Sequence, residues 1–248
     1  MSERSKSSIY GIHAIIEAIR SGKEIEKLFL SKQAGGELFK ELFALARESN
    51  IPTQFVPNEK LNRMTSKVHQ GAIAYTSEIT FYKIEQILPG IYEKGEVPLL
   101  LILDSITDVR NFGAIVRTAE CAGVHAIIIP VKGAATINAD AVKTSAGALH
   151  TVPICREKSI NQTITYLKQS GVQIIAATEK VDKLYFNADF VLPTAIIMGS
   201  EDEGIQSSIL VLADNAVKIP LVGSIASLNV SVATGILLFE AVKQRNNQ

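Results

Sequence analysis

At 248 residues and 47% hydrophobic content the chain is long enough for one large or two modest cores, and two domains are expected. Its formal charge is zero, 25 basic against 25 acidic, which excludes a globally basic nucleic-acid binder and leaves any RNA reading to local patches, oligomerisation or shape. No segment reaches the roughly 18 to 20 uninterrupted apolar residues of a membrane span, and the start, MSERSKSS, lacks the apolar centre of a signal peptide, so a cytoplasmic protein without a membrane partner is expected.

Residues 1–80 read as short alternating elements: a helix over 12–20, a strand near 27–30, a helix over 37–48, a strand at 51–56, a short helix from Asn58 and a strand over 72–77. In the 37–48 helix, Leu38, Leu42, Phe43, Leu45 and Ala46 recur about one turn apart as a core-facing stripe. This α/β unit holds eleven basic and nine acidic side chains. Pro89, Gly90, Gly95 and Pro98 then place a linker over 81–97.

From residue 98 to 248 the pattern changes. LLLILD, HAIIIP, VQIIAAT, AIIMG and AVKIP are continuous apolar runs separated by helical periods, as in a parallel sheet covered on both faces. Ligands of such sheets bind beyond the carboxyl ends of the strands, so the polar loops after these runs are the candidates for a site. Cys121 and Cys155 form no C-x-x-C pair, and His13, His69, His125 and His150 are scattered without zinc spacing. Two reduced, buried thiols and no bound metal are expected.

Three loops carry polar residues. The first, DSITDVRNFGAIVRTAECAGV, opens a helix with Phe112, Ile115, Val116, Ala119 and Ala122 as its apolar stripe, leaving Asn111 near the start and Arg117 on another face. A helix cap and a solvated charge are the plain alternative for that pair. In the second, GSEDEGI, Gly199 admits close backbone approach, Glu201 can orient a donor and Gly204 permits a turn; a solvated acidic cluster or a magnesium site is the alternative, though a metal would want further oxygen ligands that the sequence does not identify. The third follows Ile219 and Pro220 and sets Ser227, Leu228 and Asn229 before the apolar helix that starts at Val230. No glycine spacing matches G-x-G-x-x-G or a phosphate loop ending in G-K-[ST], so dinucleotide and triphosphate readings lose their support.

The ordered set NFGAIVRTAECAG, IIMGSEDEGI and IPLVGSIASLNVSVATGILLFEA resembles the three motifs of the SpoU, or TrmH-type, RNA ribose 2'-O-methyltransferases of the SPOUT superfamily. GIHAIIEAI near the start and VHQGAIA at 68–74 resemble the L30e-like RNA-recognition domain of the subgroup that methylates a guanosine of bacterial large-subunit (23S) ribosomal RNA. The resemblance implies an α/β fold with a deep trefoil knot in the C-terminal parallel sheet, S-adenosyl-L-methionine as cofactor, and a homodimer whose active site lies at the subunit interface. It places Gly199, Ile219 and Leu228 at cofactor-binding positions. Arg117, Asn111, Glu201, Ser227 and Asn229 fall at the catalytic positions, and no metal is implied. Val109 departs from the proline many relatives carry, which suggests a looser loop.

On that resemblance Arg117 faces the ribose 2'-hydroxyl, Asn111 and Glu201 orient it, and Ser227 and Asn229 shape the loop beside cofactor and substrate. A guanidinium keeps its proton, so stabilising an emerging alkoxide suits Arg117 better than acting as a general base. Arg4, Lys6, Arg63 and Lys67 are the expected RNA contacts of residues 1–80. A transfer-RNA enzyme, an rRNA adenosine methyltransferase, an RNA-binding assembly factor without turnover and a small-molecule methyltransferase are the competing readings.

Overall fold

The structure, a computed structural model, describes residues 8–225 and 227–247, so Arg4 and Lys6 lie outside the described residues. The chain divides into two units, Met1–Thr80 with Ile137–Ala139, and Phe81–Thr136 with Asp140–Gln248.

In the first unit β1 (Ser8–Tyr10), α1 (Ile12–Arg20), β2 (Ile25–Ser31), α2 (Glu37–Glu48), β3 (Thr53–Val56), α3 (Asn58–Met64) and β4 (Ala72–Thr76) follow in order. Four strands pair in the order β1–β4–β2–β3, with only β2 and β3 parallel. Alternation along the strands sorts the side chains. Leu28 and Leu30 of β2 and Ala72 and Ala74 of β4 pack with Ile15, Ile16, Leu42 and Ala46 of α1 and α2. Phe29 and Ile73 point the other way and pack with Val56 and Leu61 of α3. Leu38, expected in the α2 stripe, is 40% exposed in the first turn of its helix.

The second unit contains β5 (Phe81–Tyr82), α4 (Ile84–Glu93), β6 (Leu99–Leu103), α5 (Val109–Cys121), β7 (Ala126–Pro130), α6 (Ala139–Thr144), β8 (Ile154–Glu157), α7 (Ile160–Gln169), β9 (Gln173–Ala177), β10 (Thr194–Met198), α8 (Ser207–Leu210), β11 (Asn215–Val217) and α9 (Val230–Asn246). Its seven strands run in the order β11–β9–β10–β6–β7–β8–β5, with every neighbouring pair parallel. All residues of β6 and β10 are buried, which is why these strands read as unbroken apolar runs.

The segment expected as a linker, 81–97, is built into this unit. Phe81 and Tyr82 pair with Ile154 and Cys155, and Ile84, Leu88 and Ile91 of α4 join the core. The apolar face of α4 holds the helix in place despite Pro89 within it. The strand β8 has no apolar signature because it ends in Arg156 and Glu157, both buried. Elements some 73 residues earlier meet them: Lys83 donates to Glu157 at 3.0 Å and to the Arg156 carbonyl, the Ile84 N–H donates to Glu157 at 3.0 Å, and the Arg156 guanidinium lies 3.2 Å from the Phe81 ring centre. Cys155 is buried as expected, but Cys121 is exposed; it ends α5, off the stripe of Phe112, Ile115, Val116 and Ala119.

Candidate active site

Strands β6 and β10 are neighbours, with Leu103 opposite Met198, so the first two polar loops leave the same edge of the sheet. Here β6 leads to β7 on one side while β10 lies on the other, the kind of strand-order reversal that opens a crevice in parallel sheets. The Asp104 N–H donates to the Met198 carbonyl at 2.8 Å, which carries the pairing one residue beyond the strands.

The first loop is fixed by Asp108, the N-cap of α5, whose carboxylate accepts from the N–H groups of Arg110 at 2.9 Å and Asn111 at 2.8 Å. Asp108, not Asn111, therefore caps this helix, and the Asn111 amide is left to act elsewhere. Val109 takes the first helical position, so the missing proline costs the loop no anchor. Further along α5, Gly113 lets α6 approach: a Cβ there would stand 2.7 Å from the Cβ of Thr144.

In the second loop Ser200 and Gly204 exchange backbone hydrogen bonds of 3.2 and 3.0 Å, closing a tight turn with Glu201 at its corner. Both flanking glycines are required. Gly204 sits at φ +72°, and a Cβ on Gly199 would lie 2.2 Å from the Gly204 carbonyl carbon. In the third loop Asn229 N-caps α9, its Oδ1 accepting from the Ser231 N–H at 2.9 Å and the Ser231 hydroxyl at 2.5 Å.

The three loops meet through side chains. Asn229 Nδ2 donates to Glu201 Oε1 at 2.8 Å and to Asn111 Oδ1 at 2.9 Å, and Asn111 Nδ2 donates to Glu201 Oε1 at 3.1 Å. The Val230 N–H also reaches Glu201 Oε1, at 3.4 Å. One carboxylate oxygen thus faces two amides and the positive end of α9. Because each amide donates and accepts within the network, both orientations are determined by it. Asn229 is an ordinary cap and a site member at once.

Not every expected residue joins this cluster. Arg117 lies six residues beyond Asn111, about 9 Å along the helix axis at ~1.5 Å per residue. It is exposed and, among the described residues, makes no hydrogen bond or ion pair. Ser227 is likewise exposed with no such partner. Gly199 belongs to the Glu201 turn, and Leu228 precedes the Asn229 cap; Ile219, after β11, is half-buried. Val222 and Ile225, between Ile219 and Asn229, are largely exposed and present their apolar side chains outward.

Asp104 escaped the sequence reading, which placed it at the end of an apolar run. It is 1% exposed, and it accepts from the Gln206 backbone N–H and from the Gln206 side-chain amide, each at 2.7 Å, and from the Ser105 hydroxyl at 3.1 Å. It thereby ties the first loop to the far end of the Glu201 turn. A carboxylate ending a buried strand was the available signal, since a buried charge needs dedicated donors. Among the described residues no group of three His, Cys, Asp or Glu side chains is placed to hold a metal ion, and no helix is long and apolar enough to cross a membrane.

Comparison with known proteins accounts for both units. Residues 98–239 match the SpoU rRNA Methylase family, and residues 8–82 match the RNA 2'-O ribose methyltransferase substrate binding family. The chain is 36% identical over 239 residues to the 23S rRNA (guanosine-2'-O-)-methyltransferase RlmB of Yersinia pestis, covering 96% of this chain and 97% of that one. To the protein of the same name in Escherichia coli K12 it is 35% identical over 240 residues, covering 96% and 98%. Its fold is similar to that of the SpoU methyltransferase AviRb from Streptomyces viridochromogenes, crystallised with AdoMet: TM-score 0.62 at 24% identity, covering 97% of this chain and 91% of that one. With a family match over more than half its length, and relatives aligned almost end to end, the chain belongs to the SpoU rRNA methylase family.

Proposed function

We propose that this protein transfers a methyl group from S-adenosyl-L-methionine to the ribose 2'-oxygen of a guanosine in 23S ribosomal RNA. The observation that carries the reading is the cluster of Asn111, Glu201 and Asn229, drawn from three loops at the carboxyl edge of one parallel sheet, in a chain alignable over 96% of its length with enzymes named for that reaction.

The residues present fit the cofactor. Gly199 in the Glu201 turn and Leu228 beside the Asn229 cap adjoin the polar cluster, and with Ile219 they are the residues that would hold the adenosyl group. When bound, the cofactor supplies a methyl group already activated by its sulfonium. The chain's task is then to align the 2'-oxygen with the methyl carbon, opposite the sulfur whose bond to that carbon breaks, and to balance the charge as the hydroxyl proton passes to a phosphate of the RNA. Asn111 and Glu201 orient the loop that meets the ribose, and Asn229 holds that pair against the start of α9. Arg117 stabilises the oxygen as it becomes an alkoxide, which needs only the guanidinium's fixed charge.

In this reading the site is completed by a second copy of the chain. The distance of Arg117 from Asn111 along α5 supports it, as does the apolar surface exposed at Val222, Ile225, Val232 and Phe239. The knot in the second unit, the cytoplasmic location and RNA recognition by residues 1–80 belong to the same proposal. The test is incubation of the protein with labelled S-adenosylmethionine and either protein-free 23S rRNA or bulk transfer RNA, followed by mapping of 2'-O-methyl positions. A single labelled guanosine ribose in 23S rRNA is expected; label confined to transfer RNA, or none in either, overturns the assignment.

A further inference from the structure

We infer that the α3 side of the first unit is the surface that carries single-stranded substrate RNA, with Lys60, Arg63 and Lys67 gripping its phosphates. This rests on the RNA-methylating reading above and adds to it which side of the unit the nucleic acid meets.

The two sides of this four-stranded sheet are charged differently. On the α1 and α2 side the two helices carry four carboxylates, Glu17, Glu37, Glu41 and Glu48, and half of the cations are paired with them: Arg20 with Glu41 at 2.6 Å and Glu17 at 3.8 Å, and Lys40 with Glu37 at 2.7 Å, while Lys23 and Arg47 make no ion pair among the described residues. On the α3 side, residues 58–70 hold Lys60, Arg63 and Lys67 against a single carboxylate, Glu59. All three cations are exposed, and among the described residues none is in an ion pair. Lys60 and Arg63 stand one turn apart on α3, whose Leu61 is buried.

The cations on this side lie beside aromatic rings. The Lys67 ammonium is 5.0 Å from the Tyr10 ring centre, and Lys27 is 5.1 Å from that of Phe29, whose ring in turn meets Tyr75 edge-on. Cations and the half-buried rings of Tyr10 and Tyr75 on one side of the sheet, with Phe29 buried against α3, suit a single strand of nucleic acid, where phosphates and base faces alternate.

The adjoining turn is held in one shape. His69, buried, accepts from the Gly71 N–H at its Nδ1, at 3.0 Å, so its Nε2 carries the proton and donates to Asn62 at 2.8 Å. Gly71, at φ +83°, presses so closely on Ala34 that an added Cβ would stand 2.9 Å from the alanine's. On this anchored turn Val68 is 82% exposed, an apolar contact for a base beside Lys67. Ordering before binding lowers the entropy cost of capturing a flexible strand.

The experiment compares the full-length protein with its Lys60→Ala/Arg63→Ala/Lys67→Ala variant, using a protein-free 23S rRNA transcript as probe at several salt concentrations. Affinity should fall about tenfold or more, and the slope of log K against log[salt] should shrink by about 2, at roughly 0.7 per phosphate contact on single strands. S-adenosylmethionine binding and the melting temperature, which report the rest of the molecule, should not move. A Lys23→Ala/Lys40→Ala/Arg47→Ala control on the α1 and α2 side should keep the wild-type slope. The inference fails if the α3 variant keeps wild-type affinity and slope, or if the control loses as much. It also fails if only methylation of ribosomal particles suffers while binding of the naked transcript stays intact, since that assigns the surface to a protein. A wild-type protein that neither binds nor methylates the transcript takes down the functional reading itself, whereas normal methylation with an indifferent α3 variant takes down this inference alone.

Discussion

The Asn229 amide donates to Glu201 at 2.8 Å across 28 residues of sequence, and the same carboxylate oxygen also takes Asn111 from 90 residues away. Removing the acceptor leaves two amides and a helix start without it. Hydrogen bonds to a charged group contribute about 1.5–3 kcal/mol, and if that stabilisation is lost from the transition state, Glu201→Ala lowers kcat about 10- to 100-fold. Glu201→Gln, which keeps an acceptor without the charge, should fall between wild type and Ala. Single-turnover methylation rates measure both, and an Ala variant as fast as wild type removes the cluster from the chemistry.

Arg117 is exposed and not hydrogen-bonded, so its replacement should cost little stability. Arg117→Ala should lower methyl transfer by roughly 10²- to 10³-fold, the loss typical of a removed charge-stabilising donor, with cofactor affinity by calorimetry nearly intact. Arg117→Lys keeps the charge and loses the planar fork; turnover close to wild type in that variant would rule out a geometric role for the fork.

Asp104 holds Gln206 just beyond the Glu201 turn, and under the proposed function it would position that turn. Asp104→Asn sets an amide donor among donors and should slow methyl transfer about tenfold, an energy on the order of one hydrogen bond. Asp104→Asn/Gln206→Glu reverses the polarity of the side-chain pair. The double variant should recover a substantial part of kcat. Additive losses in the double-mutant cycle would show that the two residues act independently.

Arg245 near the end of α9 donates to four carbonyls: Phe190 at 2.9 Å, Val97 at 2.8 Å, Pro98 at 2.9 Å and Leu192 at 3.0 Å. The four carbonyls make the half-buried guanidinium a structural clamp, and burial pushes it below its ordinary value. Arg245→Ala should destabilise by about 2–3 kcal/mol and lower the melting temperature by about 4–12 °C. Lysine, with one donor centre in place of a fork, should restore less than half; calorimetric melting of both variants decides it.

Burial, reinforced by the nearby Glu157 carboxylate, pushes the Cys155 thiol up to about 12, while Cys121 is exposed. A disulfide reagent at pH 8 should therefore titrate one thiol in the native protein and two after denaturation. Two rapid equivalents from the native protein would contradict the burial of β8.

Much of the architecture was legible in the sequence because its elements are strongly periodic. The expected boundaries of α1 and α2, 12–20 and 37–48, coincide with those observed, and the runs around β6, β7, β9 and β10 are apolar because both faces of the sheet are covered. What stayed hidden depended on distant partners. The β5–β8 edge is held by Lys83 and Glu157, 74 residues apart, and nothing local marks ICRE as a strand. Motif resemblance singled out Asn111, Glu201 and Asn229, but their hydrogen-bonded ring exists only once β6 and β10 lie side by side. Asp104 was missed because its acceptor role is defined by Gln206, 102 residues later.

The cap at Asn229 has a consequence for biosynthesis. Asn111 and Glu201 precede their third partner by 118 and 28 residues, so a ribosome-bound or truncated product that stops short of α9 holds two thirds of the ring and no completed centre. Methylating capacity would then switch on late in translation, when the last of the three segments docks, and premature termination there would remove the completed ring together with the buried Leu237, Leu238 and Ala241 of α9.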